Sequence, residues 1–548
     1  MGGKRDTVRI RYSLTLLLIF TLLVPTLTGC GSRTAEDENR YPFTLSIMTS
    51  SEIPTQNNKI YAMLEEELKV TCTFERNDRD NEELYDVLIA TGDYPDIMFS
   101  NEEIISSGGA VPLEDLLPNY PRLYAHYEPY MERMKADDGH IYVLPDYGIY
   151  YGDHTYMTRN NGTGFFIQKR VLEEFGYPKL TTLDEYFDLI ERYVEKYPQT
   201  NGKKTIGYTI LNDGEFNYGL VNPPQFLAGY PNNGNCIVDE ETCTAYDYMT
   251  MDIAERFYRK LCEANAEGLI DPEACLFNYS QYIEKLSEGN VLGFSDQYWN
   301  VGLVNESLES RGMYEYTYLS IPLVYEEGIE EHYMEKPVVN YGRGFMITTS
   351  CKDPARVLQL FDDMLDERWQ KIFGWGIEGE DYLVDENGMF YRTEDMRAEQ
   401  AQISWKYENK ANALTSYAPK IEGSFSDGNA TSAFYQPGEF YDSLSEYDKK
   451  LLDSYGYQTF ADFFNEPEEN PIYYPTWQIT FPSGSAADSS KKRADACRSE
   501  YLPKLIQCRL ERFDSLWEEF QEAYAKTGYE VYIQHINEVI QYRLKSEG

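Results

Sequence analysis

FTLSIMTS (Phe43–Ser50), NKIYAMLEEELKV (Asn58–Val70) and TCTFER (Thr71–Arg76) decide the fold class. The first stretch alternates apolar and polar residues with the period of a strand, the second spaces its apolar residues along one helix face, and the third returns to a strand. Strand, helix and strand in that order make a β-α-β unit. The next helix, ELYDVLIATG, stops at Gly92; Tyr94-Pro95 turns the chain, and Asp96-Ile97-Met98-Phe99 starts another strand. This alternation predicts an α/β protein with a mainly parallel sheet.

Working outward, similar units resume near Gly164. FFIQKRVLEEFG reads as a strand leading into a helix, and Thr182 with Glu185 forms a capping-box pattern that opens a helix running to Tyr197, before Pro198. MDIAERFYRKLCEANAEG (Met251–Gly268) is an amphipathic helix ended by Gly268. Strands are predicted at VLGFSD (Val291–Asp296), YTYLSIPLV (Tyr316–Val324) and GFMITTS (Gly344–Ser350), followed by a helix from about Pro354 to Phe373. YLVDENGMFYR (Tyr382–Arg392) is a hairpin turning at Asn387-Gly388. From about Arg397 to Asp488 the chain is irregular and rich in Tyr, Asn, Pro and Gly; the C-terminal stretch reads as two helices broken at Gly528. There is no internal repeat.

The N-terminus carries Lys4, Arg5, Arg9 and Arg11, then the apolar run SLTLLLIFTLLVPTL (Ser13–Leu27), then Leu27-Thr28-Gly29-Cys30. The run is about 15 residues, short of the roughly 20 a helix needs to span hydrocarbon, so residues 1–29 read as a cleaved secretory signal. The competing reading, an uncleaved anchor, also leaves the rest of the chain outside the cell. LTGC resembles the bacterial lipobox, which implies that Cys30 becomes an acylated N-terminus holding the protein to the outer face of the membrane, with 30–41 as a flexible tether. No second membrane segment appears.

The remaining 500-odd residues exceed one core, so two or more domains are expected. Net charge is −43; removing residues 1–29, with four bases and one acid, leaves −46. Such a field argues against a nucleic-acid partner and favours neutral or weakly charged solutes. The eight cysteines besides Cys30 form no CxxC pair or Cys/His cluster, so no zinc site is expected. Cys236 and Cys243 flank IVDEET, a hairpin turn across which a disulfide is sterically open.

ATGDYPDIMFS (Ala90–Ser100) is similar to a motif of family 1 extracellular solute-binding proteins, the relatives of maltose-binding protein. Its neighbours follow in the family's order: VPLEDLLPNY (Val111–Tyr120), DGHIYVLPDYG (Asp138–Gly148), FFIQKRVLEEFGYPKLTTLDEYFDLI (Phe165–Ile190), AEGLIDPEA (Ala266–Ala274), QYIEKLSEGNVLGFSDQYWN (Gln281–Asn300) and GRGFMITTSCKDPARVLQLFDDML (Gly342–Leu365). The resemblance covers about residues 41–375 and the terminal helices; the stretch from about 376 to 490 matches only insertions of a longer lipoprotein subfamily. It implies a two-lobed periplasmic-binding-protein-like fold of type II, with a ligand cleft between lobes and crossover hinges near Asn161–Phe166 and Ile321–Gly344. Lobe I would comprise 42–163 and about 340–395, and lobe II 164–339 and about 396–548. The implied function is capture of a solute, an oligosaccharide by preference, for an ABC importer, as a monomer that engages the transmembrane permease, without cofactor or metal.

Sugars offer apolar C–H faces and rings of hydroxyls, so their sites pair flat aromatic rings with planar polar groups. The resemblance places candidates at Asp93 and Asp96, which equally fit turn capping; at Tyr147, Tyr150 and Tyr151 after LPD; and at Asp296, Tyr298 and Trp299 after the strand VLGFS. Trp299 is the leading stacking candidate, against a buried packing role. Trp375 and Glu378, on the glycine-rich loop GWGIEGED, and Trp477 in YYPTWQ, which fits a cap over the cleft or a plug in a core equally, complete the set. Competing classes are a surface enzyme acting on polysaccharide and a peptide-binding or sensory lipoprotein. The enzyme reading finds no HExxH, GxSxG or Walker loop, and paired carboxylates among 92 acids carry no information. DRDNEELYD (Asp78–Asp86) lacks the sixth-position Gly and twelfth-position Glu of a calcium loop and reads as a solvated helix start.

Overall fold

In chain order, the strands that form the two sheets and the link between them are β1 (Phe43–Thr49), β2 (Val70–Arg76), β3 (Ile97–Phe99), β4 (Val143–Pro145), β5 (Tyr150–Tyr151), β6 (Thr163–Gln168), β7 (Ile206–Tyr208), β8 (Val291–Gln297), β9 (Tyr318–Ile321), β10 (Gly344–Ile347) and β11 (Glu422–Gly423). The helices used below are α1 (Lys59–Leu68), α2 (Leu183–Lys196), α3 (Asp252–Ala266), α4 (Tyr298–Ser310), α5 (Pro354–Met364), α6 (Ala486–Gln507), α7 (Phe513–Ala525) and α8 (Glu530–Glu547). They belong to a computed structural model that describes residues 40–547 except 78–81, 137, 153–156 and 215. The signal, Cys30 and the first part of the acidic run at Asp78 lie outside the described residues. All these elements fall in the unit Phe43–Gly548.

The opening β-α-β unit forms as its sequence predicts. Asn58 caps α1 by accepting from the Ile60 and Tyr61 amides, and Ile60, Leu64 and Leu68, four apart, put one face into the core. β1 and β2 pair in parallel from Phe43↔Val70 to Thr49↔Arg76. The first sheet runs β2-β1-β3-β10-β4, and β10 is antiparallel to both neighbours. The second runs β9-β6-β8-β7; there β6 is antiparallel to β8 and β9, and only β7 and β8 run in parallel. By strand direction both sheets are mainly parallel, each with one reversed strand, β10 in the first and β6 in the second. β6 and β10 enter from the opposite end because each follows a link from the other sheet, so no crossover helix fixes its direction.

Every residue of β6 and β8 is buried, as central strands covered on both faces must be. α2 packs on this sheet through Tyr186, Phe187 and Ile190, with the capping box at Thr182 and Glu185 in place. The first sheet has its own core, in which Ile47, Ile97 and Phe345 meet Leu64 of α1 and Leu358 and Phe361 of α5. Polypeptide passes from the first sheet to the second between β4 and β6, over 146–162, and returns between β9 and β10, over 322–343.

The sequence places the chain beyond 396 with the second lobe. Ala411, Leu414, Tyr417 and Ala418 instead pack into the first core, while Leu451 through Ile540, including α6, α7 and α8, pack into the second. The terminal helices break at Gly528 with φ 70, as predicted. The hairpin at Asn387-Gly388 also forms, between Leu383–Val384 and Phe390–Tyr391. A Cys236–Cys243 disulfide does not. The strands Ile237–Asp239 and Thr244–Tyr246 pair Ile237 with Tyr246, which sets Cys236 beyond the end of the ladder and Cys243 in its turn. Their thiols donate separately, to the Asn233 and Glu240 carbonyls. Among the described residues no helix is long and apolar enough to cross a membrane.

Candidate functional site

Open α/β sheets present their ligand sites beyond the carboxyl ends of their strands. In the second sheet that edge is built by β8, which runs without a break into α4, so Tyr298 and Trp299 are the first two helical residues. The crossing chain fixes them there: the Tyr298 amide donates to Gly162 O at 2.9 Å and the Trp299 amide to Asn161 O at 3.2 Å. One helical step separates their fates. Tyr298 turns inward against Phe166, with ring centroids 6.4 Å apart. Trp299 turns outward, 52% exposed, and its indole meets Tyr218 edge to face at 5.4 Å. A half-covered indole held upright by a second ring is an aromatic platform rather than a core residue.

Asp296 does not lie on that platform. It is 2% exposed, its Oδ1 accepts from the Gln297 amide at 2.7 Å and from Asn300 Nδ2 at 3.1 Å, and burial raises its carboxyl to about 6. The expectation that it meets ligand hydroxyls is corrected: it organises the start of α4. Asp93 and Asp96 follow the turn reading. Both precede β3 and so sit at the end of the strand opposite its carboxyl edge. Asp93 is exposed, and Asp96 Oδ2 accepts from the Ser46 amide and hydroxyl, each at 2.8 Å. Trp375 is a core residue, 1% exposed, donating from Nε1 to Ala430 O at 2.8 Å among Tyr382, Phe390 and Phe425. Glu378 is exposed on the loop beside that cluster.

The link 146–152 supplies a second group. Asp146, at the end of β4, is fully buried and bridges Arg343 at 3.0 Å and Lys420 at 3.5 Å, tying the outgoing link to the returning one. The two links run so close that a Cβ on Gly148, at φ +95, would lie 2.0 Å from Val338 O. β5 then pairs in parallel with β11, setting Tyr150 beside Glu422, whose Oε2 accepts from the Gly148 amide at 2.6 Å. Burial raises the Glu422 carboxyl to about 6, against the opposing pull of Lys420 and Arg343. Burial also raises the hydroxyls of Tyr147, Tyr150 and Tyr435, and in all three the nearby Glu422 adds to the effect. No described residue hydrogen-bonds any of these three hydroxyls. Strand alternation sends Tyr151 to the other face, where its hydroxyl meets His126 Nδ1 at 2.9 Å.

Trp477 borders the same region: its Nε1 donates to the Tyr474 hydroxyl at 3.1 Å, and Tyr474 in turn bonds Glu335. Gln478 next to it donates to Val339 O and accepts from the Tyr341 amide on the returning link. Arg159 joins the two groups. Its guanidinium lies over Tyr298 at 4.7 Å and over Phe434 at 4.5 Å, and Phe434 adjoins Tyr435. Sequence reasoning missed Tyr218, Glu335, Glu422 and Tyr435. Glu335 and Tyr435 sit on irregular chain, Tyr218 opens a one-turn helix and Glu422 lies in the two-residue β11, so none carries a clear periodic signal; Tyr435 and Glu422 also fall in the stretch without a family counterpart.

Two partly open cavities lie elsewhere. One of about 210 Å³ is bordered by Pro178, Pro322 and Tyr457, and one of about 460 Å³ by Tyr230, Asp247 and Tyr529. Neither is lined by Trp299 or Tyr147. Among the described residues, Glu330, His332 and Glu468 bring ligand atoms within 4.8 Å of one another, on the protein surface.

No family profile and no characterised protein matches the chain in sequence. Solved structures do match. The S. pneumoniae ABC-transporter substrate binding protein FusA, an EF-hand mutant in complex with fructo-nystose, is 18% identical with a TM-score of 0.62 over 92% of this chain and 100% of its own. An HMO binding ABC-transporter associated solute binding protein from Bifidobacterium longum infantis is 15% identical, with a TM-score of 0.61 over 91% and 98%. The alginate-binding protein AlgQ2, without calcium ion, is 16% identical, with a TM-score of 0.59 over 93% and 100%. At these identities the likeness establishes the fold, and the chain has the two-lobed α/β fold of ABC-transporter substrate-binding proteins.

Proposed function

We propose that this protein is the extracellular substrate-binding component of an ABC importer, holding an oligosaccharide between its lobes and delivering it to a membrane permease. The observation that carries the reading is the half-exposed Trp299 at the carboxyl end of β8, and the Tyr147, Tyr150 and Tyr435 hydroxyls, which no described residue satisfies, support it. A ring covers the apolar face of a sugar, and hydroxyl groups beside a carboxylate meet its own hydroxyls; each supplies what the other lacks. The structural neighbours bind fructo-nystose, HMO and alginate, which supports a glycan ligand. The net charge of −43 favours a neutral glycan over an acidic one.

The signal-like run and LTGC support export and attachment through a lipid on Cys30, and we take the protein to act as a monomer. Binding without catalysis is part of the reading. Calorimetry of the mature protein against neutral and uronic oligosaccharides tests it: a saturable heat with a neutral glycan, and no new reducing ends on incubation, is the expected result. Turnover lost with a cleft carboxylate would establish an enzyme instead. Cys30→Ala should release the protein into the medium or leave it unprocessed, whereas unchanged lipid labelling would refute the attachment.

A further inference from the structure

We propose that Cys262 and Cys508 are a disulfide-forming pair that staples the C-terminal helices to α3. Their Sγ atoms lie 3.7 Å apart across 246 residues of sequence, the one sulfur–sulfur contact among the described residues. Cys262 is on the buried face of α3, and Cys508 is the residue that ends α6. Both thiols point into the seam between these helices: Cys262 Sγ donates to Cys508 O at 3.4 Å and Cys508 Sγ to Leu505 O at 3.3 Å. A covalent bond of about 2.05 Å asks the sulfurs to close by roughly 1.7 Å. The hairpin cysteines Cys236 and Cys243 have no such approach, and Cys497, the other cysteine of the C-terminal helices, has no sulfur contact among the described residues.

The two thiols differ in access, which sets the order of events. Cys508 is half-buried, whereas Cys262 is fully buried, and burial pushes its thiol up to about 12. The Arg259 guanidinium opposes that rise. Cys508 is thus the first to react with an external disulfide: its thiolate attacks one sulfur, the reagent S–S bond breaks, and one reagent thiol leaves. Cys262 then gives up its proton and attacks Cys508 Sγ in the mixed disulfide, forming the internal bond and expelling the second reagent thiol. Two protein thiols lose two electrons and two protons, and the disulfide reagent is reduced to two thiols. A natural oxidant of that class is available outside the cell, so this part rests on the export reading, while the sulfur geometry does not. The bridge would close a loop that leaves the second core, passes through the first and returns, and so constrain the unfolded chain strongly.

The test uses the purified chain equilibrated with oxidised glutathione, quenched by alkylation and digested without reduction. A peptide linking Cys262 to Cys508 is expected, absent from Cys262→Ser and Cys508→Ser, with a melting temperature that falls on reduction in the wild type and not in Cys508→Ser. Recovery of both cysteines in alkylated form, or of Cys508 linked to a different cysteine, would overturn the proposal. Glycan calorimetry on oxidised and reduced protein keeps the two readings apart: the bridge can form in a protein that binds no sugar, and its absence leaves the Trp299 platform intact.

Discussion

The indole of Trp299 and the ring of Tyr218 meet edge to face at 5.4 Å, and the indole remains 52% exposed. A large ring held by a neighbour yet left uncovered has area to give to a ligand. Aromatic anchors of this kind typically contribute about 2 kcal/mol or more, so Trp299→Ala should weaken glycan binding roughly 30-fold or more. The melting temperature without ligand should barely move, because little packing is lost. Calorimetry beside thermal melts checks both; unchanged affinity with a collapsed melting point would make Trp299 a packing residue.

Trp375 is the converse case. It is 1% exposed, hydrogen-bonded to Ala430 O and wedged among Tyr382, Phe390 and Phe425. Trp375→Ala should cost about 3–5 kcal/mol of stability, through lost contacts and an unfilled cavity. The affinity of the protein that remains folded should be unchanged. Denaturant titration with calorimetry below the transition measures the two effects separately, and a binding defect with full stability would return Trp375 to the cleft.

These two tryptophans show what was legible in the sequence. Both follow glycine-containing or strand-terminal motifs, and local pattern does not say which ring is covered. The exposure of Trp299 was legible because VLGFS is a buried strand that runs into a helix, and helix geometry then turns the second helical residue outward. Trp375 depends on Phe390 and Phe425, contributed by chain 15 and 50 residues further on, and no local period reports such a contact. The β-α-β unit, the capping box at Thr182 and the break at Gly528 were legible for the opposite reason: each is decided within a few residues. The strand directions of β6 and β10 were not, because the links that reverse them carry no helix.

Tyr147 and Tyr435 offer hydroxyls to which no described residue hydrogen-bonds. Removing an oxygen that serves only the ligand should leave the fold alone. Tyr147→Phe and Tyr435→Phe should each weaken binding by about 1–2 kcal/mol, or roughly 5–30-fold, with melting temperatures within a degree or so of the wild type. Titration calorimetry on the single and double variants provides the check. A stabilised variant with full affinity would show that the hydroxyl faces neither ligand nor protein.

Glu422 yields a prediction in pH. Its side chain is 8% exposed, accepts from the Gly148 amide and sits among the Tyr147, Tyr150 and Tyr435 rings, and burial raises its carboxyl from 4.5 to about 6. A carboxyl raised on folding contributes stability that is fully present below its unfolded value near 4.5 and is lost as pH rises through about 6. The corresponding difference is about 2 kcal/mol. Glu422→Gln keeps an oxygen to accept from Gly148 but never ionises. Without ligand, it should therefore match the wild type near pH 4.5 and exceed it by up to about 2 kcal/mol at pH 8. Asp296, raised to about 6 by the same cause, leaves a residual slope in that window for both proteins. Binding should move the other way, since a carboxylate accepts from sugar hydroxyls more strongly than an amide; about tenfold weaker affinity at pH 8 is expected. Denaturant unfolding at pH 4.5, 6 and 8, paired with calorimetry, measures both. A variant less stable than the wild type at pH 8 would mean that Lys420 and Arg343 outweigh the cost of burial.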